Sequence, residues 1–246
     1  MFADDFSNET VPLGSFSGCR HLRHKRCHGL RRYPRAYRNW WAYPDGWSPS
    51  RHGTYYPSRV LSISRGVLDY HIHSETVHGV TYHMVAAAVP RVPSLVHGHG
   101  LLYSRFVLRA RFDSLPGYHV AFLLWPNSGI WPRDGEIDFP ETDPNSSSVS
   151  AFVHWGSRAH PRFDYFKSRD RLTQWHTYAI DWLPSHISFY LDGRLLGVSR
   201  RHVPHTPMHW VLQTDSFGGQ PAPRDSTAGK VQIAWVTAYA LKKTSR

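Results

Sequence analysis

The chain has 246 residues, of which 41% are hydrophobic and 14% aromatic, with 10 Trp, 13 Tyr and 12 Phe against only 19% charged residues. That balance excludes a disordered chain, and the length allows one large β domain with a substantial core. Lys and Arg total 29 against 18 acids, for a net charge of +11 with His neutral, so anionic surfaces attract the protein.

In chain order, Met1 to Phe6 starts acidic and lacks the basic segment and apolar run of a secretion signal, so a signal was removed or none existed. From Thr10 to Pro44 there is no acid, while Arg20, Arg23, Lys25, Arg26, Arg31, Arg32, Arg35 and Arg38 follow one another. This predicts a basic loop over about 10–44. Cys19 and Cys27 are the only cysteines, and their short separation, without zinc-ligand spacing around them, predicts a disulfide pinning that loop. Two reduced thiols in a cytosolic protein are the alternative.

Short segments rich in β-branched and aromatic residues follow: Val60 to Ser64, Val67 to His73, Tyr103 to Phe112, His119 to Trp125, Val149 to Trp155, Trp175 to Trp182, Ile187 to Leu191, Trp210 to Thr214 and Val231 to Leu241. Leu68, Tyr70 and Ile72 alternate with Asp69 and His71, the period of a sheet with one face on a core. Asp192-Gly193 between apolar runs marks a hairpin. No segment holds a helical period over three turns, and 18 Gly and 18 Pro punctuate the chain. An all-β antiparallel sandwich follows. Gln220 to Gly229 reads as a surface loop, and neither a repeat nor a linker divides residues 1–246, so one domain is expected. Apolar runs such as Val85 to Val89 fall far short of the roughly 18 residues that cross a bilayer, so no membrane span is expected.

One hexapeptide departs from strand chemistry: Glu136-Ile137-Asp138-Phe139-Pro140-Glu141. Acids are disfavoured in strands, yet three occur here, and Glu136 and Asp138 share a face by alternation. The third acid comes one place late, after a Pro that cannot donate to a ladder. A bulge at Phe139-Pro140 restores the phase and brings Glu141 to the same face. The outer carboxylates then start about 13 Å apart at Cα and can lean together. Retaining glycosidases need two carboxyl groups roughly 5–5.5 Å apart, one as nucleophile and one as acid and then base. A solvated strand face or a divalent-cation site are the other readings of three acids, but flanking Ile137, Phe139 and Trp131 make the strand half-buried, where crowded charge is costly without a function.

The hexapeptide resembles the Glu-x-Asp-x-x-Glu signature of glycoside hydrolase family 16. Tyr103-Ser104-Arg105-Phe106, Ala121 to Pro126, Trp175 to Trp182 and Phe189 to Gly193 resemble further blocks of that family in the same order, over about residues 55 to 241. The resemblance implies a concanavalin A-like jelly roll and a retaining hydrolase of β-linked polysaccharide. It makes Glu136 the nucleophile, Asp138 its helper and Glu141 the acid/base, with no cofactor. Arg105 resembles an arginine of the family motif. Trp125, Trp131 and Trp155 are candidate sugar platforms, and His154 and Gln213 candidate donors to hydroxyls.

Departures limit the inference. His119 and Leu123 stand where many relatives have tryptophans, so the substrate cannot be copied across. Ala234 stands where many place an Asp that helps hold calcium, which argues against a structural calcium, and Val107 replaces a commonly acidic position. The expected activity is endo-acting cleavage of β-1,3-glucan by a secreted monomer, with galactan, mixed-linkage glucan or transglycosylation as alternatives. Two other classes compete: a jelly roll that binds polysaccharide without cleaving it, and a polyanion binder using Arg20 to Arg38 with Trp40-Trp41 stacking on bases. A milder form of the second has the basic loop holding an anionic cell-wall polymer.

Overall fold

The computed structural model describes residues 1–20, 25–48, 53–93, 100–216 and 221–241. Two large antiparallel sheets, one of nine strands and one of seven, form a concanavalin A-like jelly roll. The seven-stranded sheet carries the site. Across it run Pro161–Arg169, Ser148–Gly156, Glu136–Thr142, His119–Pro126, Met208–Asp215, Ala87–Pro90 and Trp40–Ala42.

Alternation decides what each strand does. In His119–Pro126, Val120, Phe122 and Leu124 face the second sheet, while Ala121, Leu123 and Trp125 face outward with His119. Phe122 meets Phe112 at 6.0 Å between ring centroids, Trp210 meets Phe106 at 5.2 Å, and Phe139 meets Tyr178 at 5.5 Å and Phe189 at 5.6 Å. These contacts join the sheets, and each fully buried aromatic contributes about 1.5–3 kcal/mol. Asp192-Gly193 turns a hairpin with both residues at positive φ, as do Arg65-Gly66 and His78-Gly79. Glycine at the second place avoids the Cβ clash there.

All nine strands read from the sequence are present within a few residues, but Trp40–Ala42, Ala87–Pro90 and Pro161–Arg169 were not expected. The expected loop over 10–44 is corrected. It holds a hairpin of Cys19–Arg20 and Arg26–Cys27 closed by the Cys19–Cys27 disulfide, a 3-10 turn His28–Arg32, a helix Pro34–Asn39 and the edge strand Trp40–Ala42. The reason is apolar: Phe16, Leu30, Trp40 and Trp41 are fully buried, which outweighs the surrounding charge. Glu9 accepts from the Arg35 and Ala36 amides at 3.3 and 2.8 Å, and Asp4 accepts from the Trp40 indole N–H at 2.9 Å. Buried at 0% exposure, Trp40 and Trp41 cannot stack on a nucleic-acid base. Arg23 lies outside the described residues, as does Gln220; Pro221 to Ala228 form a largely exposed loop. No helix among the described residues is long and apolar enough to cross a membrane.

Candidate active site

The acidic strand Glu136–Thr142 lies between His119–Pro126 and Ser148–Gly156. Leu123 pairs with Asp138 and Ala121 with Glu141, so three steps on the acidic strand face two on its neighbour. The other side matches, with Asp138 opposite Phe152 and Glu141 opposite Ser150. One extra residue at Phe139-Pro140 therefore makes a bulge, and Glu136, Asp138 and Glu141 all line one cleft of about 810 Å³. Ile137 and Phe139 point the other way into the core.

The three acids have different surroundings. Glu136 Oε2 accepts from the Trp131 indole N–H at 2.6 Å. Burial raises the Glu136 carboxyl well above its ordinary value, the Asp138 charge adds to this, and His154 and the Trp131 N–H oppose it. Asp138 is also raised well above its ordinary range, first by burial and then by the Glu141 charge, while a hydrogen bond with Glu136 opposes. His154, directly across from Glu136 in the ladder, brings Nε2 to 3.0 Å from Asp138 Oδ2. With ligand atoms of half-buried Glu136 and buried Asp138 within 4.8 Å of each other, each carboxylate disfavours ionisation of the other. Glu141 Oε1 lies 3.3 Å from His119 Nε2, whose Nδ1 is 3.2 Å from Asp215 Oδ2. Burial disfavours the charged His119 ring, but its hydrogen bonds to Asp215 and Glu141 prevail and raise it to about 10.

Trp125, Trp131, His154 and Gln213 line the cleft with the acids. Gln213 is less available than its type suggests, because its carbonyl oxygen accepts from the Tyr55 hydroxyl at 2.7 Å and its amide donates to Asp215 at 3.4 Å. Arg105 is a correction. It lies on Ser104–Phe112 in the nine-stranded sheet, where it bonds Asp181 at 2.9 Å and sits over Tyr190 among Val107, Trp235, Thr237 and Tyr239. The motif placed the strand, but the strand belongs to the sheet away from the cleft. Trp155 also leaves the cleft, because it follows His154 in the alternation and stacks on His202 at 3.4 Å.

The opposite wall of the cleft was missed: Tyr43, Trp47, His209, Asn127 and Lys25. Tyr43 packs on Trp47 at 4.5 Å and its hydroxyl meets His209 Nε2 at 3.3 Å, while His209 Nδ1 meets Asn127 at 2.8 Å. Burial and the Glu136 charge hold the Tyr43 phenol neutral. Lys25 reaches this wall from the disulfide hairpin, over the Trp41 ring at 5.3 Å. The His119 and Asp215 contact spans 96 residues, so no local pattern announced it.

Glu136, Asp138 and His154 bring ligand atoms within 4.8 Å of one another. Two carboxylates and an imidazole, with the Trp131 N–H on one Glu136 oxygen, fall short of the six to eight oxygens that calcium takes. The donor set suits proton transfer and carboxylate attack better than a hard cation.

A jelly roll with paired carboxyl groups on the floor of an open, aromatic-walled cleft defines a class of proteins built around polysaccharide chains. The chain belongs to glycosyl hydrolases family 16, whose family model matches residues 69–237. It is 31% identical over 148 residues to the endo-1,3-1,4-beta-glycanase ExsH of Rhizobium meliloti (strain 1021), covering 56% of this chain and 30% of that protein. It is 33% identical over 103 residues to a beta-glucanase of Rhodothermus marinus, covering 38% of this chain and 36% of that protein. The matches thus span about a third of these relatives' lengths. The laminarinase structure from Rhodothermus marinus superposes with a TM-score of 0.73 at 21% identity over 99% of this chain and 97% of that one. LamAcat from Zobellia galactanivorans gives 0.72 at 19% identity over 97% and 96%. At these identities the superpositions speak for the fold.

Proposed function

We propose that the protein is a secreted, retaining, endo-acting β-glucan hydrolase, with β-1,3-glucan as first substrate and mixed-linkage glucan or β-galactan next. The observation that carries this reading is the bulged strand, which turns Glu136, Asp138 and Glu141 onto the floor of one open cleft. A cleft open along a sheet admits the middle of a polymer. The relatives, a 1,3-1,4-glycanase and a laminarinase, support the glucan. Export is supported by the Cys19–Cys27 disulfide.

In the first step Glu141 gives its proton to the glycosidic oxygen while the Glu136 carboxylate attacks the anomeric carbon. The carbon–oxygen bond breaks, the aglycone leaves as an alcohol, and a glycosyl ester on Glu136 remains. In the second step the Glu141 carboxylate takes a proton from water, whose oxygen attacks the same carbon from the face the aglycone left. The ester breaks, Glu136 regains its charge, and the product keeps its configuration. The Asp138 charge raises the Glu136 carboxyl, so Asp138 helps set the pH above which Glu136 is the carboxylate that attacks. With His119 charged, its Nε2–H faces Glu141 Oε1, and the acid proton belongs on Oε2.

A second reading concerns charge on the substrate. Lys25 is a cationic side chain on the cleft wall, which favours a glucan carrying acidic substituents and gives the basic segment a role at the site itself. The test is reducing-sugar release from laminarin, lichenan, agarose, carrageenan and arabinogalactan, with Glu136→Gln as control. Release from laminarin or lichenan that the variant abolishes supports the proposal. Equal release by the variant removes Glu136 as nucleophile, and silence on all five favours a non-catalytic sugar-binding jelly roll.

A further inference from the structure

The face that carries the acids continues beyond the cleft to the sheet edge. His154 pairs with Phe163 and Phe152 with Tyr165 in the ladder between Ser148–Gly156 and Pro161–Arg169. Phe152 and His154 stand opposite Asp138 and Glu136, so Phe163 and Tyr165 share the face of the acids. The rings form an unbroken path. Trp131 is 6.1 Å from His154, which stacks on Phe152 at 5.6 Å, and Phe152 reaches Tyr165 at 4.9 Å and Phe163 at 5.6 Å.

The edge strand inverts the usual chemistry of alternation. Its inward positions hold Asp164, Phe166 and Ser168, all half-buried, while Phe163 is 57% and Tyr165 45% exposed. Outward positions of an edge strand ordinarily carry charge, because aromatic rings there invite pairing with other chains. A contiguous exposed aromatic patch beside a site marks recognition rather than chance. Pyranose rings present flat faces of C–H groups that lie on aromatic faces, while their hydroxyls stay in water. Two strand spacings separate the acidic strand from the edge, roughly 9.5 Å, which is the span of a disaccharide.

We propose that Phe152, Phe163 and Tyr165 form an outer sugar-binding platform that holds the stretch of polysaccharide running from the cleavage point across the sheet edge. The occupant is the same glycan chain that fills the cleft, because the platform is continuous with the cleft floor through His154. Lys167, on the same outward phase, flanks the platform and suits a glycan with acidic substituents. The proposal rests on the hydrolase reading of the acids and adds an extended subsite to it.

The experiment measures kcat/KM of wild type and of the double variant Phe163→Ala, Tyr165→Ala on laminari-oligosaccharides of increasing length. The platform predicts that the variant matches wild type on the shortest cleavable oligosaccharide. On long ones it falls about tenfold through KM, and Phe163→Tyr with Tyr165→Phe restores most of the loss. Both positions are exposed, so thermal unfolding should be unchanged. Cleavage with the same length dependence in variant and wild type overturns the platform and leaves the hydrolase standing. Failure of the wild type to cleave any oligosaccharide of β-1,3-glucan, mixed-linkage glucan or β-galactan overturns both.

Discussion

The indole N–H of Trp131 donates to Glu136 Oε2 at 2.6 Å, so a side chain that reads as a sugar platform also orients the carboxyl proposed as nucleophile. A hydrogen bond to a charged group is worth about 1.5–3 kcal/mol. Trp131→Phe keeps the ring and loses the donor, so kcat/KM is expected to fall about tenfold to a hundredfold with the fold intact. Steady-state kinetics with circular dichroism checks this; an unchanged kcat/KM contradicts the role.

The Glu136 and Asp138 pair costs the folded state stability. Both carboxyls are raised above their ordinary values, chiefly by burial, so the folded state binds more protons than the unfolded one at pH values above about 4. Stability from this pair is complete below the unfolded carboxyl pKa and declines as pH rises through the folded values. Glu136→Gln removes one of the charges, and is expected to unfold at a higher temperature than wild type at neutral pH. The gain is about 1.4 kcal/mol for each pKa unit relieved, and it shrinks toward pH 4. Asp138→Asn lets Glu136 ionise more readily, which moves the acidic limb of kcat/KM to lower pH. Calorimetry and pH–rate profiles read both effects.

His119, bridging Glu141 and Asp215, is expected to act through the acid. In His119→Gln, cleavage of polysaccharide should drop by about tenfold to a hundredfold. Hydrolysis of an aryl glycoside with a strongly acidic phenol, which needs no proton to leave, should drop far less. Equal losses on both substrates would mean that His119 serves structure alone. The raised His119 value of about 10 also sets a sign. Its contribution to stability is full below about pH 6.5 and is lost as pH rises toward 10, and the variant should lack that decline.

Lys25 and the disulfide hairpin connect the basic segment to the cleft. Lys25→Ala is expected to weaken kcat/KM on carboxymethylated glucan several-fold, with little change on the neutral polymer, and added salt should erase the difference. Trp41→Ala tests the correction to that segment. A fully buried Trp should cost about 3–5 kcal/mol of stability, whereas an exposed stacking platform would cost almost none.

Legibility in the sequence followed the range of the physics. The acidic strand was readable because its period, its slip at Pro140 and its remedy lie within six residues. The hairpin at Asp192-Gly193 was readable for the same reason. Trp40–Ala42 was hidden because net charge dominated its surroundings while the burial of Trp40 and Trp41 depends on distant strands. Pro161–Arg169 was hidden because Phe163 and Tyr165 occupy the outward phase while Asp164 and Ser168 flank Phe166 on the inward one, so no apolar-in pattern arises. Arg105 shows the limit of a motif: it located a strand but not the sheet to which the strand belongs. His119 and Asp215 meet across 96 residues, and only folding brings them to Glu141.

The claim beneath all of this is that Glu136 attacks the anomeric carbon directly. Proton NMR of the first sugar released from laminarin, recorded before the anomers equilibrate, tests it most directly. With Glu136 as nucleophile, the new reducing end appears as the β anomer and turns to α only with time. Initial release of the α anomer would mean that water attacks in one step, and Glu136 could not be the nucleophile.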